Sequence, residues 1–230
     1  MRNLNDYNQE NFKNKFSNSP IAKAIANDFE MIVWDKHFDE TSIATFRQLI
    51  GTKIFSMSSW YYIQYLLDKN PSVIHDIGCG WNIHKKYLDC IVGLSPDDSS
   101  QGTFGQEQDY FDEDFVTYRA GQFESAMSIC ALNYRPLSEI REIVEQFISV
   151  VQKGGRGYIA LDLKPMVDRE EPSVLDKIFG TTTPIDPEIE DYVRDKLNDL
   201  PCNVLVFDLD SPEISDGLDG HLRIVFEREA

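Results

Sequence analysis

The chain has 230 residues, 42% of them hydrophobic, with a net charge of −17 and a pI near 4.5. That length suits one sizeable core, and the acidity repels phosphate backbones, so duplex DNA or RNA is a poor partner. No apolar run is long enough to span a bilayer, and the start Met1-Arg2-Asn3-Leu4-Asn5-Asp6 is polar, unlike a secretory leader; the expectation is a cytoplasmic protein with no membrane partner.

Residues 1–18 are rich in Asn, Lys and Phe without clear periodicity and read as an arm. Ser19-Pro20 looks like an N-cap followed by Pro at the first helical position, and Ile21, Ala24, Ile25, Phe29, Ile32 and Val33 recur at helical spacing. A second amphipathic stretch covers 41–54, and a third starts at Ser58-Ser59-Trp60 and stops at Asn70-Pro71. These divide the chain into an arm and helical extension over 1–57 and an α/β domain over 58–230.

From Ser72 short apolar runs alternate with amphipathic ones, the βαβ pattern of a parallel sheet. Strands are predicted over 73–77, 90–94, 123–132 and 157–163, with a weak one near 108. A short helix is predicted over 83–88 and longer ones over 137–151 and 187–200. The helix over 137–151 carries an apolar face of Ile140, Ile143, Val144, Phe147 and Val151 at helical spacing. Two final strands, 203–209 and 221–227, suit an antiparallel hairpin.

The four cysteines, Cys79, Cys90, Cys130 and Cys202, form no CxxC pair and have no histidines at zinc spacing, so they read as reduced, mostly buried thiols and no metal is expected. His75, His84 and His221 have no partners in sequence and read as structural or exposed. The acids at 109–114 and 186–191 read mostly as solvated surface.

The most informative segment is Val73-Ile74-His75-Asp76-Ile77-Gly78-Cys79-Gly80: an apolar strand ending in an acid, then Gly-x-Gly, then a helix. The glycines let the backbone turn sharply and approach a ligand closely. A second glycine run, Lys153-Gly154-Gly155-Arg156-Gly157, precedes the strand Tyr158-Ile159-Ala160-Leu161. On these motifs the chain resembles the class I S-adenosylmethionine-dependent methyltransferase superfamily from about Trp60 onward. Asp76-Ile77-Gly78-Cys79-Gly80 is similar to the first motif of that family. The run from Phe123 through Glu124 to Leu132 is similar to its fourth strand, and Val151 to Arg156 to the turn before its fifth.

The resemblance implies a Rossmann-like α/β fold: a seven-stranded sheet, parallel except for one strand, with helices on both faces. It implies S-adenosylmethionine as cofactor and a small molecule or a protein as methyl acceptor. Asp76, Gly78, Cys79 and Gly80 match the positions that hold the methionyl part and the ribose, Asp109 the acid near the adenine, and Ser128 the strand end under the methyl group. No catalytic base is implied. Asn82 stands where the family has a third glycine, and Ser95 where it has an acid for the ribose hydroxyls, with Asp97 or Asp98 as substitutes.

Two other readings stand beside this one. Gly78-x-Gly80 with Asp98 about twenty residues on superficially fits a nicotinamide fingerprint, but the third glycine is missing and Asp76 lies two residues before the first, so a dehydrogenase ranks below. The departures at Asn82 and Ser95 fit a methyltransferase fold kept as a structural or interaction module. The short helix after Gly80 and the run Gly154-Gly155-Arg156-Gly157-Tyr158 also resemble methyltransferase-like proteins of bacteriophages, which makes a virion-associated role part of that second expectation.

Overall fold

Short, mostly buried strands build the centre of the sheet. The computed structural model describes residues 62–63, 65–79, 82–86, 88–96, 107–171, 173–174, 186–209 and 221–229. Among them β1 (Ile74–Ile77), β2 (Ile91–Ser95) and β4 (Phe123–Ile129) are buried at most positions rather than at every second one. Parallel strands covered on both faces read this way. β3 is the two-residue Glu107–Gln108, and β5 runs from Val151 to Asp162. The chain ends in β6 (Asn203–Leu209) and β7 (His221–Glu227).

The strand order is β3-β2-β1-β4-β5-β7-β6. Six of these strands have four or more residues. β1 pairs in parallel with β2 and β4, and β4 with β5, while β7 runs antiparallel to both β5 and β6. The sheet is thus mixed, mostly parallel and Rossmann-like, with β7 as the one reversed strand and the closing hairpin in its expected place. The chain builds outward from β1 through β2 to β3, then returns to lay β4 on the other side of β1. That reversal is a topological switch point, where open α/β sheets leave a crevice at the carboxyl ends of their strands.

Helices alternate with the strands. α1 (Glu113–Arg119) follows β3, α2 (Ile140–Val150) follows β4, α3 (Leu163–Val167) follows β5, and α4 is Asp186–Lys196. α2 buries Ile140, Ile143, Val144 and Phe147, as its spacing predicts, together with Ile148, against a core that includes Ile159, Leu161, Ile224 and Phe226, while Val151, the last residue of the predicted stripe, instead opens β5. Phe147 meets Phe226 edge-on, with ring centroids 5.9 Å apart. Burying one such ring contributes about 1.5–3 kcal/mol.

Two local expectations need correction, and one gains detail. α1 starts within the acidic run read as solvated surface, whose Asp112, Glu113 and Asp114 are indeed exposed: Asp112 caps the helix, its Oδ1 accepting from Phe115 N at 2.9 Å, and Glu113 and Asp114 occupy the first turn. There the acids complement the helix dipole. The glycine run at 153–157 does not precede β5 but lies within it. Phe123 faces Val151 and Ser125 faces Arg156, so β5 carries a wide bulge in which Gly154 takes φ +75°. The fourth strand ends at Ile129 rather than at 132, because Cys130 adopts φ +51° and leaves the extended region.

Contacts divide the chain between Asn70 and Pro71. Before that point, residues 62–63 and 65–67 are helical. The predicted arm and the helices over 21–33 and 41–54 lie outside the described residues. No helix among the described residues is long and apolar enough to cross a membrane.

Candidate functional site

Asp76 lies one residue from the carboxyl end of β1, facing Gly93 of β2 on one side and Met127 of β4 on the other. It therefore sits at the switch point, and it is 2% exposed. A buried carboxylate needs donors. One comes from His84: its Nδ1 lies 2.9 Å from Asp76 Oδ2, and the ring is buried too. A carboxylate only accepts, so Nδ1 carries the proton and donates it. Sequence reading had left His84 without a partner. Its reach to Asp76 depends on how the intervening loop folds, which no spacing rule encodes.

That loop returns on itself through two left-handed residues. Gly78 has φ +74° and Asn82 φ +51°. Asn82 replaces a motif glycine in sequence, yet it keeps the glycine-like backbone; asparagine is among the few side chains that tolerate this region. Its carbonyl accepts from Lys85 N at 3.1 Å and opens the 3-10 turn Ile83–Lys86, which carries His84. Asn82 is buried against Gly93, where an added Cβ would come within 2.6 Å of the Asn82 side chain and of Cys79 Sγ.

The first two amides of the glycine turn are used within the protein. Gly78 N and Cys79 N both donate to Leu94 O, at 2.7 and 3.1 Å. Ser95, buried at the end of β2, accepts from Asp109 N through its carbonyl at 2.9 Å. Asp109 follows β3 and spends both carboxylate oxygens: Oδ1 accepts from Tyr110 N at 3.0 Å and Oδ2 pairs with Arg119 at 2.9 Å. It ties the end of β3 to the end of α1. Ser128 is fully buried in β4 and donates to Ile77 O at 2.9 Å, binding β4 to the last residue of β1. Gly80, Asp97 and Asp98 lie outside the described residues.

Tyr110 and Tyr134 place their rings 6.4 Å apart and stay partly exposed. Tyr134 donates to Phe111 O at 2.6 Å, and burial, then the adjacent Tyr110, pushes its phenol upward, so it keeps its proton. Cys130, at the end of β4, is no thiolate nucleophile: burial, then Asp162, pushes its thiol far above the usual value. All four cysteines are reduced thiols and partly buried, in line with the expectation. Among the described residues no group of three or more His, Cys, Asp or Glu could hold a metal ion.

No protein-family model and no curated protein matches the sequence. Among solved structures, the chain is similar to magnesium protoporphyrin IX methyltransferase from Synechocystis PCC 6803 with bound SAM, at 10% identity and TM-score 0.48 over 94% of each chain. It is also similar to the N-methyltransferase NodS from Bradyrhizobium japonicum WM9, at 7% identity and TM-score 0.43, over 76% of this chain and 97% of that one. A SAM-dependent methyltransferase from Archaeoglobus fulgidus aligns at 13% identity and TM-score 0.43, over 76% of this chain and 93% of that one.

Proposed function

We propose that the chain binds S-adenosylmethionine at the carboxyl edge of β1 and transfers its methyl group to a small molecule or a protein side chain. One observation carries the reading: Asp76, the acid of the Asp-x-Gly-x-Gly motif, is buried at the topological switch point with Gly78 turning sharply beside it. A carboxylate so placed suits a cationic or hydroxyl-rich ligand, and the cofactor is both. Asp76, Cys79, Gly80 and Ser95 would hold it, with Asp109 and Ser128 fixing the strand ends around it.

The bound cofactor supplies an activated methyl group for in-line displacement. The protein's part is alignment and exclusion of water. Asp76 offers an acceptor whose orientation is set before the ligand arrives. Tyr110 and Tyr134 offer an aromatic rim for an acceptor. The net charge of −17 argues for an acceptor other than nucleic acid.

A second reading has its own support. The Gly78 and Cys79 amides are spent on Leu94, Asp109 is spent on Arg119, and a serine stands at the ribose position. These favour a fold kept as an interaction module. Calorimetric titration with S-adenosylmethionine and S-adenosylhomocysteine separates the two. The enzyme reading expects saturable binding that Asp76→Ala weakens about tenfold or more, since a charge-assisted hydrogen bond contributes about 1.5–3 kcal/mol. Absence of binding by the unaltered protein leaves the module.

A further inference from the structure

We infer that His84 is a positioning residue for ligand binding, acting through Asp76; the inference rests on the reading of this edge as the cofactor pocket. Three observations lead to it. His84 Nδ1 donates to Asp76 Oδ2 at 2.9 Å with both side chains almost wholly buried, at 6% and 2% exposure. Asp76 Oδ1 has no protein donor among the described residues. The loop that brings His84 over the strand end does so through two residues in the left-handed region, Gly78 and Asn82.

The physical consequence is preorganisation. An aspartate without a fixed partner turns about its side-chain bonds, and a ligand that needs one orientation must immobilise it on binding. Here the imidazole holds Oδ2, and on this inference Oδ1 is the oxygen that accepts from the ligand. Because the donor is a buried ring on a short 3-10 turn, its own orientation is already set. The ligand's ammonium or hydroxyl then finds an acceptor already in place. His84 needs no contact with the ligand.

The test compares His84→Ala and His84→Asn with the unaltered protein by calorimetry with S-adenosylhomocysteine, alongside thermal melting of each. The amide of asparagine places a donor about where Nδ1 of histidine lies, whereas alanine has none. His84→Ala is expected to weaken binding about tenfold to hundredfold. His84→Asn is expected to restore affinity to within about threefold, even if its melting temperature stays as low as that of the alanine variant. In an Asp76→Asn background, His84→Ala is expected to add no further loss.

A merely structural histidine would make affinity follow melting temperature through both variants, and that result overturns the inference. So does unchanged affinity in a folded His84→Ala protein that binds. Failure of the unaltered protein to bind S-adenosylhomocysteine is a distinct outcome, which overturns the pocket reading and the inference with it.

Discussion

Ala131 occupies the place that a side chain on Gly78 would need: a Cβ added there would lie 2.1 Å from the Ala131 Cβ. The glycine thus serves two demands at once, its φ of +74° and the close packing of the loop after β4 onto the turn after β1. Gly78→Ala is expected to destabilise the fold by about 2–4 kcal/mol, combining left-handed strain with overpacking. Ala131→Gly in the same chain should recover only the overpacking part. Chemical denaturation of the single and double variants checks this. Equal stability of Gly78→Ala and the unaltered chain would show that the contact relaxes freely.

The strand ladder was legible in the sequence because parallel strands leave long apolar runs between turn residues. Residues 203–209 and 221–227 were read with the observed bounds, since polar loop chemistry frames each. What escaped was decided by side-chain placement in three dimensions. Asp112 looks like one more surface acid until its carboxylate is seen capping α1, and His84 looks isolated until the loop folds it back over Asp76. Asn82 looks like a motif defect, yet its φ of +51° supplies the geometry a glycine would. In the candidate site, Asp76 and Gly78 were identifiable from order along the chain alone. The engagement of Asp109 by Arg119 was not, because that pairing joins a strand end to the far end of a helix the sequence reading had missed.

The partly buried thiols give the fold an alkaline limit. Burial, then Asp162, raises Cys130, and burial, then Glu229, raises Cys202 to about 12 from an ordinary 9.0. Cys90 is raised as well, first by burial. A raised thiol stays protonated in the folded chain while the unfolded chain ionises near 9, so the unfolded state binds fewer protons and stability falls as pH rises. Below the unfolded value the contribution is complete. Above it, Cys130 and Cys202 each cost about 1.4 kcal/mol per pH unit. Melting temperature is expected to drop between about pH 9 and 10, and to drop less steeply in Cys130→Ala/Cys202→Ala. Alkylation by iodoacetamide at pH 9 should be much slower at these two positions than in the denatured protein. A pH slope equal in both proteins would contradict the assignment.

The residue at the end of β2 discriminates between a working pocket and a retained fold. Ser95 is 2% exposed and, one step past the Leu94–Ile77 pair, stands beside the Gly78 turn. A carboxylate at this position could accept from two ribose hydroxyls with charge assistance, whereas a serine is shorter and uncharged. Introducing aspartate in the absence of ligand buries a charge and should lower the melting temperature. With ligand the sign reverses. The hydroxyls become the donors that the carboxylate lacks, so S-adenosylhomocysteine should raise the melting temperature of Ser95→Asp more than that of the unaltered protein, and bind it about tenfold or more tightly. Asp97→Asn and Asp98→Asn should alter affinity little if the serine is the true occupant of the ribose position. Weaker binding by Ser95→Asp together with a large loss in either asparagine variant would mean that the acidic anchor has moved along the chain to Asp97 or Asp98, and that the serine marks a relocated contact rather than a lost one.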